Sequence, residues 1–211
     1  MKKLKSTLTN MVLVLVLAAL ITGSLLAFVN HITEKPIQQQ AEKALADGIQ
    51  NVMNNKGLQV TANDTVKQQF EGKECIFVVH KVANKDGNNL GAAVESSTQG
   101  FGGDLKVLVG FDTGGNILGY TILETNETPG LGAKADQWFQ KDGKGNIIGK
   151  HPDKNKLAVT KGGEGEIDAI TASTITSRAF LKAVNQAYQA YKEKKVDSYS
   201  GASKQHKQKE K

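Results

Sequence analysis

The chain has 211 residues and a hydrophobic fraction of 39%, enough for one ordinary domain with a real core plus an anchor, and too little for two comfortable domains. Its formal charge is +6, but much of the excess sits at the ends, in Lys2, Lys3 and Lys5 and in Lys204, Lys207, Lys209 and Lys211. No basic stripe interleaved with aromatics runs through the middle, which argues against nucleic acid as a partner. The single cysteine, Cys75, rules out an internal disulfide, a CxxC redox pair and an iron–sulfur site. Any redox chemistry must therefore come from a bound cofactor. Cys75 begins an apolar run and is expected as a buried structural thiol.

Residues 6–30 carry no charge, and residues 11–29 are almost wholly apolar, close to the ~20 residues a helix needs to cross hydrocarbon. Lys2, Lys3 and Lys5 precede this run, while Glu34 and Lys35 follow it more neutrally. The positive-inside bias predicts a cytoplasmic segment 1–10, a transmembrane helix 11–29 in the cytoplasmic (inner) membrane, and the rest of the chain outside the cytoplasm. The run is longer than a signal-peptide core of roughly 7–15 residues, and no A-x-A site follows, so a retained anchor is expected.

Residues 30–60 read as a membrane-proximal segment. Ile37, Ala41, Ala44, Leu45, Ile49, Val52 and Met53 recur at helical spacing, with Pro36 in the first turn and a polar turn over 54–61. Residues 61–195 read as one α+β domain of antiparallel hairpins packed with helices. Strands are predicted over 75–82 and 90–95 around a turn at 85–89. A second hairpin is predicted from the alternation of Leu105, Val107, Val109 and Phe111, the turn 112–116 and the run 117–123. A glycine-punctuated loop follows over 124–132, then a short helix over 133–139 and turns at 142–146 before Ile147, Ile148 and the run 157–160. Phe180, Leu181, Val184, Ala187, Tyr188 and Tyr191 line one face of a final helix over 176–191. The lysine-rich tail over 196–211 is expected to be disordered.

Directly before that helix, residues 168–177 read D-A-I-T-A-S-T-I-T-S, and five of the ten carry a hydroxyl. Ser173, Thr174 and Thr176 are all candidates for an N-cap, a purely structural role. The same helix start also presents free backbone N–H groups and the positive end of a dipole, which favour a phosphate there. A threonine on this turn can thus carry a phosphoester. No Ser-His-Asp set, no phosphate-cradling loop and no metal spacing among His31, His80, His151 and His206 is found, so neither stand-alone catalysis nor a metal is expected.

The run 168–177 resembles the flavinylation motif of the FMN-binding domain family, D-x-x-[S/T]-G-A-[T/S]-x-[T/S]. The resemblance implies that a flavin transferase esterifies FMN to Thr174, with Asp168 as the leading aspartate, Thr171 as the first hydroxyl residue and Thr176 as the closing one. Ala172 stands where the family has glycine, and Ser173 where it has alanine. Ala172 adopts positive φ less cheaply than glycine, and Ser173 adds a competing hydroxyl. Residues 127–132, E-T-P-G-L-G, are similar to the family's loop that lies against the flavin ring. Glu127, Thr128, Pro129, Gly130 and Leu131 thereby join Thr171, Ala172, Ser173, Thr174 and Thr176 as implied cofactor-binding residues. Thr125 stands where that family often has a histidine. A third segment, 100–112, resembles the family's G-[Y/F]-x-G-x-[I/L] approach to a strand.

Within that family the layout is most similar to the G subunits of Rnf-type complexes. This implies an electron-carrying subunit of an ion-translocating ferredoxin:NAD oxidoreductase, partnered by the other membrane subunits and, during maturation, by a flavin transferase. Two alternatives stand beside it. One is the flavinylated C subunit of a sodium-translocating NADH:quinone reductase, which shares the motifs. The other is a cofactor-free anchored adaptor whose hydroxyls only cap a helix.

Overall fold

The computed structural model describes residues 7–55, 57–160 and 166–200, with side chains described as far as residue 193. The chain divides into two units, Met1–Leu45 and Ala46–Lys211. In the first unit the apolar run folds as the greater part of helix α1 (Leu8–Val52), with its large side chains exposed throughout. None of its most apolar window is buried against protein, and the helix is long and apolar enough to cross a membrane. The hydroxyls of Thr22 and Thr33 donate to the carbonyls of Ala18 and Val29, both at 2.9 Å, so these polar groups are satisfied within the helix itself. Pro36, expected to open a second helix, instead lies inside α1. Its ring removes one backbone donor, a loss that the turns on either side tolerate without ending the helix. Lys2, Lys3 and Lys5 lie outside the described residues.

The second unit is built on a five-stranded antiparallel meander, in spatial order β1 (Gln59–Phe70), β2 (Lys73–Ala83), β3 (Asn89–Gln99), β4 (Asp104–Phe111) and β5 (Ile117–Thr125). Both predicted hairpins are present: β2 pairs with β3, and β4 with β5. Alternation puts Phe77, Val79, Val94, Leu105, Val107, Val109 and Phe111 on one face, each almost fully buried. Helix α3 (Thr174–Ser200) lays Phe180, Leu181, Val184 and Ala187 onto that face. Phe180 stacks on Phe139 with ring centroids 4.4 Å apart, and Tyr191 on Phe111 at 5.3 Å. The predicted short helix is present as a 3-10 turn (Gly132–Lys134) running into α2 (Ala135–Trp138).

The opposite sheet face is covered in part by the last turns of α1, through Gly48, Ile49 and Val52. Backbone meets backbone here. A Cβ on Gly110 would stand 2.5 Å from the Val52 carbonyl oxygen, and one on Gly119 2.8 Å from it, so only glycine fits under the helix end.

Strand β1 was not predicted. In its sequence, QVTANDTVKQQF, only Val66 is buried, because β1 is an edge strand with little core to face. It takes up the end of the expected 54–61 turn. Two further expectations are corrected. Cys75 is half-buried against the core rather than enclosed, and α3 continues to Ser200, so residues 196–200 belong to a helix. Residues 201–211 of the expected tail lie outside the described residues. The short runs expected near 147–148 and 157–160 form no strand; Val159 makes an isolated bridge to Ile167.

A polar row crosses four strands on the α1-facing side. His80 Nδ1 lies 2.8 Å from Asn63 Oδ1 and Nε2 lies 2.8 Å from Glu95 Oε1, while Lys106 Nζ donates to Glu95 Oε2 at 2.8 Å. Burial raises the Glu95 carboxyl, but the hydrogen bonds and charges of His80 and Lys106 outweigh it and hold it below the usual glutamate value of 4.5. A depressed folded-state value contributes stability that is complete above 4.5 and is lost as pH falls below it. Denaturant unfolding should accordingly show a loss of stability between pH 6 and pH 3. Glu95→Gln should shrink that pH-dependent difference while lowering stability at pH 6.

Candidate functional site

Helix α3 begins at Thr174 because the preceding turn reverses the chain: Ser173 N donates to the Ile170 carbonyl at 3.0 Å, and Ala172 adopts φ 62. The left-handed conformation costs a Cβ-bearing residue about 1–2 kcal/mol relative to glycine, part of which alanine recovers through its smaller unfolded-state entropy. Ala172→Gly should therefore stabilise the fold by about 0.5 kcal/mol, read as a higher urea midpoint with an unchanged slope.

The five hydroxyls of this turn have separate fates. Ser177 Oγ donates to the Ser173 carbonyl at 2.9 Å and accepts the Ile170 N–H at 2.9 Å, fully buried. Thr176 Oγ1, also buried, donates to Glu127 Oε2 at 2.9 Å. Ser173, the residue preceding the helix, is buried, and its carbonyl accepts the first helical bond, from Ser177 N at 3.0 Å. Thr171 is exposed on the turn, and Thr174 is half-buried at the first helical position. The N–H groups of Thr174, Ile175 and Thr176 have no intrahelical carbonyl to bond, as in any first turn.

These residues form one wall of a cleft of about 390 Å³, whose other walls are Phe101, Glu127, Thr128, Leu131 and Gly132. The 127–132 loop is a compact turn. The Thr128 carbonyl accepts the Leu131 and Ala133 N–H groups at 3.1 and 3.2 Å, and Gly130 takes φ +77. Thr125 Oγ1 accepts the Glu127 N–H at 3.2 Å and so starts the turn. Pro129 and Gly130 are exposed at its tip and do not line the cleft. Three large apolar side chains around the cleft are open to solvent, Phe101 at 69%, Ile175 at 57% and Leu131 at 41% exposure. Exposed apolar surface of this kind, gathered around hydroxyl residues at a helix start, suits a flat aromatic group carrying a phosphate.

Glu127 closes the cleft floor. Its Oε1 accepts the Phe101 N–H at 2.6 Å and the Gly102 N–H at 3.3 Å, its Oε2 accepts Thr176, and the residue is buried. Two glycines make room for the carboxylate: a Cβ on Gly100 would lie 2.1 Å from Oε1, and one on Gly132 2.4 Å from Oε2. Asp168, the leading residue of the motif, keeps an exposed side chain and gives its carbonyl to Trp138 Nε1 at 2.8 Å.

All three sequence segments thus meet at one place. Phe101 and Ile175 were not among the implied cofactor residues. A lone aromatic within the Gly-Phe-Gly-Gly run was the available sign for Phe101, while Ile175 had none beyond its neighbours. Among the described residues no group of histidine, cysteine or acidic side chains is arranged to hold a metal ion.

Known proteins share both the sequence and the layout. Residues 100–189 match the family model of the FMN-binding domain, and residues 1–52 match that of the RnfG N-terminal region. The G subunit of the Na(+)-translocating ferredoxin:NAD(+) oxidoreductase complex of Acetobacterium woodii is 33% identical over 190 residues, 85% of this chain and 89% of that one. The G subunit of the ion-translocating oxidoreductase complex of Aliivibrio fischeri is 31% identical over 89% of this chain and 91% of its own, and that of Yersinia pestis 35% identical over 81% and 83%. A solved structure, the C subunit of the Na(+)-translocating NADH-quinone reductase from Parabacteroides distasonis, is similar at TM-score 0.48 and 21% identity, over 74% of this chain and 94% of that one. With its apolar amino-terminal helix, its FMN-binding domain and relatives matched over nearly their whole length, the chain belongs to the family of G subunits of ion-translocating oxidoreductase complexes.

Proposed function

We propose that this chain is the electron-transfer subunit of a membrane-bound ferredoxin:NAD oxidoreductase that moves ions, and that it carries FMN through a phosphoester to Thr174. The observation that carries the reading is the position of Thr174: a half-buried hydroxyl on the first turn of α3, at the wall of a cleft with exposed apolar sides. The residues present fit the group. The helix start offers N–H donors and a favourable dipole to a phosphate, and Phe101, Leu131 and Ile175 offer apolar surface to a ring. Thr128, Ala172 and Ser173 complete the cleft walls, Pro129 and Gly130 shape the loop tip, and Thr171 lies beside the acceptor on the exposed turn. When bound, a flavin would accept and release electrons one at a time.

The protein's own part is to hold, orient and shield. Thr176 and Ser177 are engaged with Glu127 and with the backbone, and of the turn's hydroxyl residues on the cleft wall Thr174 is half-buried where Ser173 and Thr176 are buried. A covalent link keeps the cofactor where no cytoplasmic flavin pool can replace it, on the extracytoplasmic side implied by Lys2, Lys3 and Lys5. The anchor keeps the domain near the other membrane subunits and raises their effective concentration. A flavin transferase supplies the FMN during maturation.

Ultraviolet fluorescence of the denatured protein, after expression with a flavin transferase, tests the proposal, together with detergent co-purification of neighbouring subunits. A fluorescent band and a set of membrane redox subunits are expected. A dark band from fully matured material would leave only an anchored adaptor.

A further inference from the structure

We propose that Glu127 is a positioning residue whose buried negative charge lowers the reduction potential of a flavin held in the Thr174 cleft. The proposal rests on the FMN reading above and goes beyond it in assigning a role to a residue that the flavin need not touch.

The site is built for an anion. Every group that reaches the carboxylate is a donor: the Phe101 and Gly102 N–H groups on Oε1 and the Thr176 hydroxyl on Oε2. An ionised carboxylate is acceptor-only and matches this set without an unpaired proton. Glu127 is only 7% exposed, and among the described residues no lysine or arginine pairs with it. The first turn of α3 offsets part of the charge through Thr176 and the helix dipole. Gly100 and Gly132, where any Cβ would strike the carboxylate oxygens, show how closely the backbone has been drawn around it. One side chain therefore fixes the Phe101 loop, the 127–132 loop and the turn that presents Thr174.

Glu127 lines the same cleft as Phe101, Leu131 and Thr174. Each electron added to a ring there brings one negative charge unless a proton accompanies it. A carboxylate in a partly desolvated site repels that charge far more than it would in water. Reduction becomes harder, and the potential falls.

Glu127→Gln removes the charge and keeps the shape. The amide oxygen can accept both backbone N–H groups, while its NH₂ donates to Thr176 Oγ1, whose hydroxyl rotates to accept. Thr176→Val keeps the charge and removes one hydrogen bond. Intact mass first establishes that the wild type and both variants carry the flavin, and spectroelectrochemical titration at fixed pH then gives their potentials. The expected result is a positive shift in Glu127→Gln and a negative one in Thr176→Val. Equal potentials in wild type and Glu127→Gln, or shifts of the same positive sign in both variants, would overturn the proposal. If Glu127→Gln does not load, Thr176→Val decides alone: a less shielded charge must move the potential negative, and an unmoved value refutes the idea. A wild type without bound flavin would instead sink the reading underneath, visible as the missing mass.

Discussion

Thr174→Ala is expected to leave a folded protein with no covalently bound flavin, and to reduce electron transfer through the assembled complex to background. Alanine is a good helix former at the first helical position, and Thr174 is half-buried and outside the hydrophobic core, so stability should change by no more than about 0.5 kcal/mol. Thr174→Ser keeps a hydroxyl in the same place and should retain flavin at reduced occupancy. Thr171→Val, on the exposed turn, should load normally. Fluorescence of denatured samples separates the three, and circular dichroism melts show that the losses are not misfolding. The prediction turns on accessibility: Ser173, Thr176 and Ser177 are buried, with Thr176 and Ser177 hydrogen-bonded through their hydroxyls, whereas Thr174 is only half-buried at the cleft wall.

Phe180→Ala should cost about 3–5 kcal/mol, a large part of the stability of a domain this size. The ring is fully buried, stacked on Phe139 at 4.4 Å and set edge-on to Tyr120 at 4.7 Å. Tyr120 in turn donates its hydroxyl to the Ala135 carbonyl at 2.6 Å and accepts the Phe139 N–H at 3.2 Å. Removing Phe180 therefore loosens the contact of α3 with both β5 and α2, and with it the placement of the 127–132 loop against the first turn of α3. Urea unfolding should show the lower midpoint, and flavin loading at 37 °C should fall even though no cleft residue has changed.

The elements legible in the sequence were those with a periodic apolar pattern or an apolar run bounded by turns. Alternation placed β4 and six apolar residues on one face placed α3, while β2 and β5 were read as apolar runs next to turn residues. β1 escaped because an edge strand with one buried residue has almost no pattern to read. Pro36 misled because proline is commoner at a helix start than inside one, whereas α1 runs through it. At the site, the hydroxyl-rich turn was visible as chemistry, but local sequence could not tell a cap from an acceptor. The structure adds the partner of one of those hydroxyls, Glu127, distant in sequence, which engages Thr176. Ala172 shows the same limit from the other side. An alanine stands where glycine is usual, and only the backbone revealed that the left-handed conformation is kept, at φ 62.

The linkage itself is best tested by proteolysis of the denatured, fully matured protein followed by fragmentation mass spectrometry. One FMN-phosphoryl adduct on the peptide spanning residues 171–178, with fragment ions bracketing Thr174, is the predicted result. An unmodified peptide, or pigment that washes away once the chain is unfolded, would contradict it.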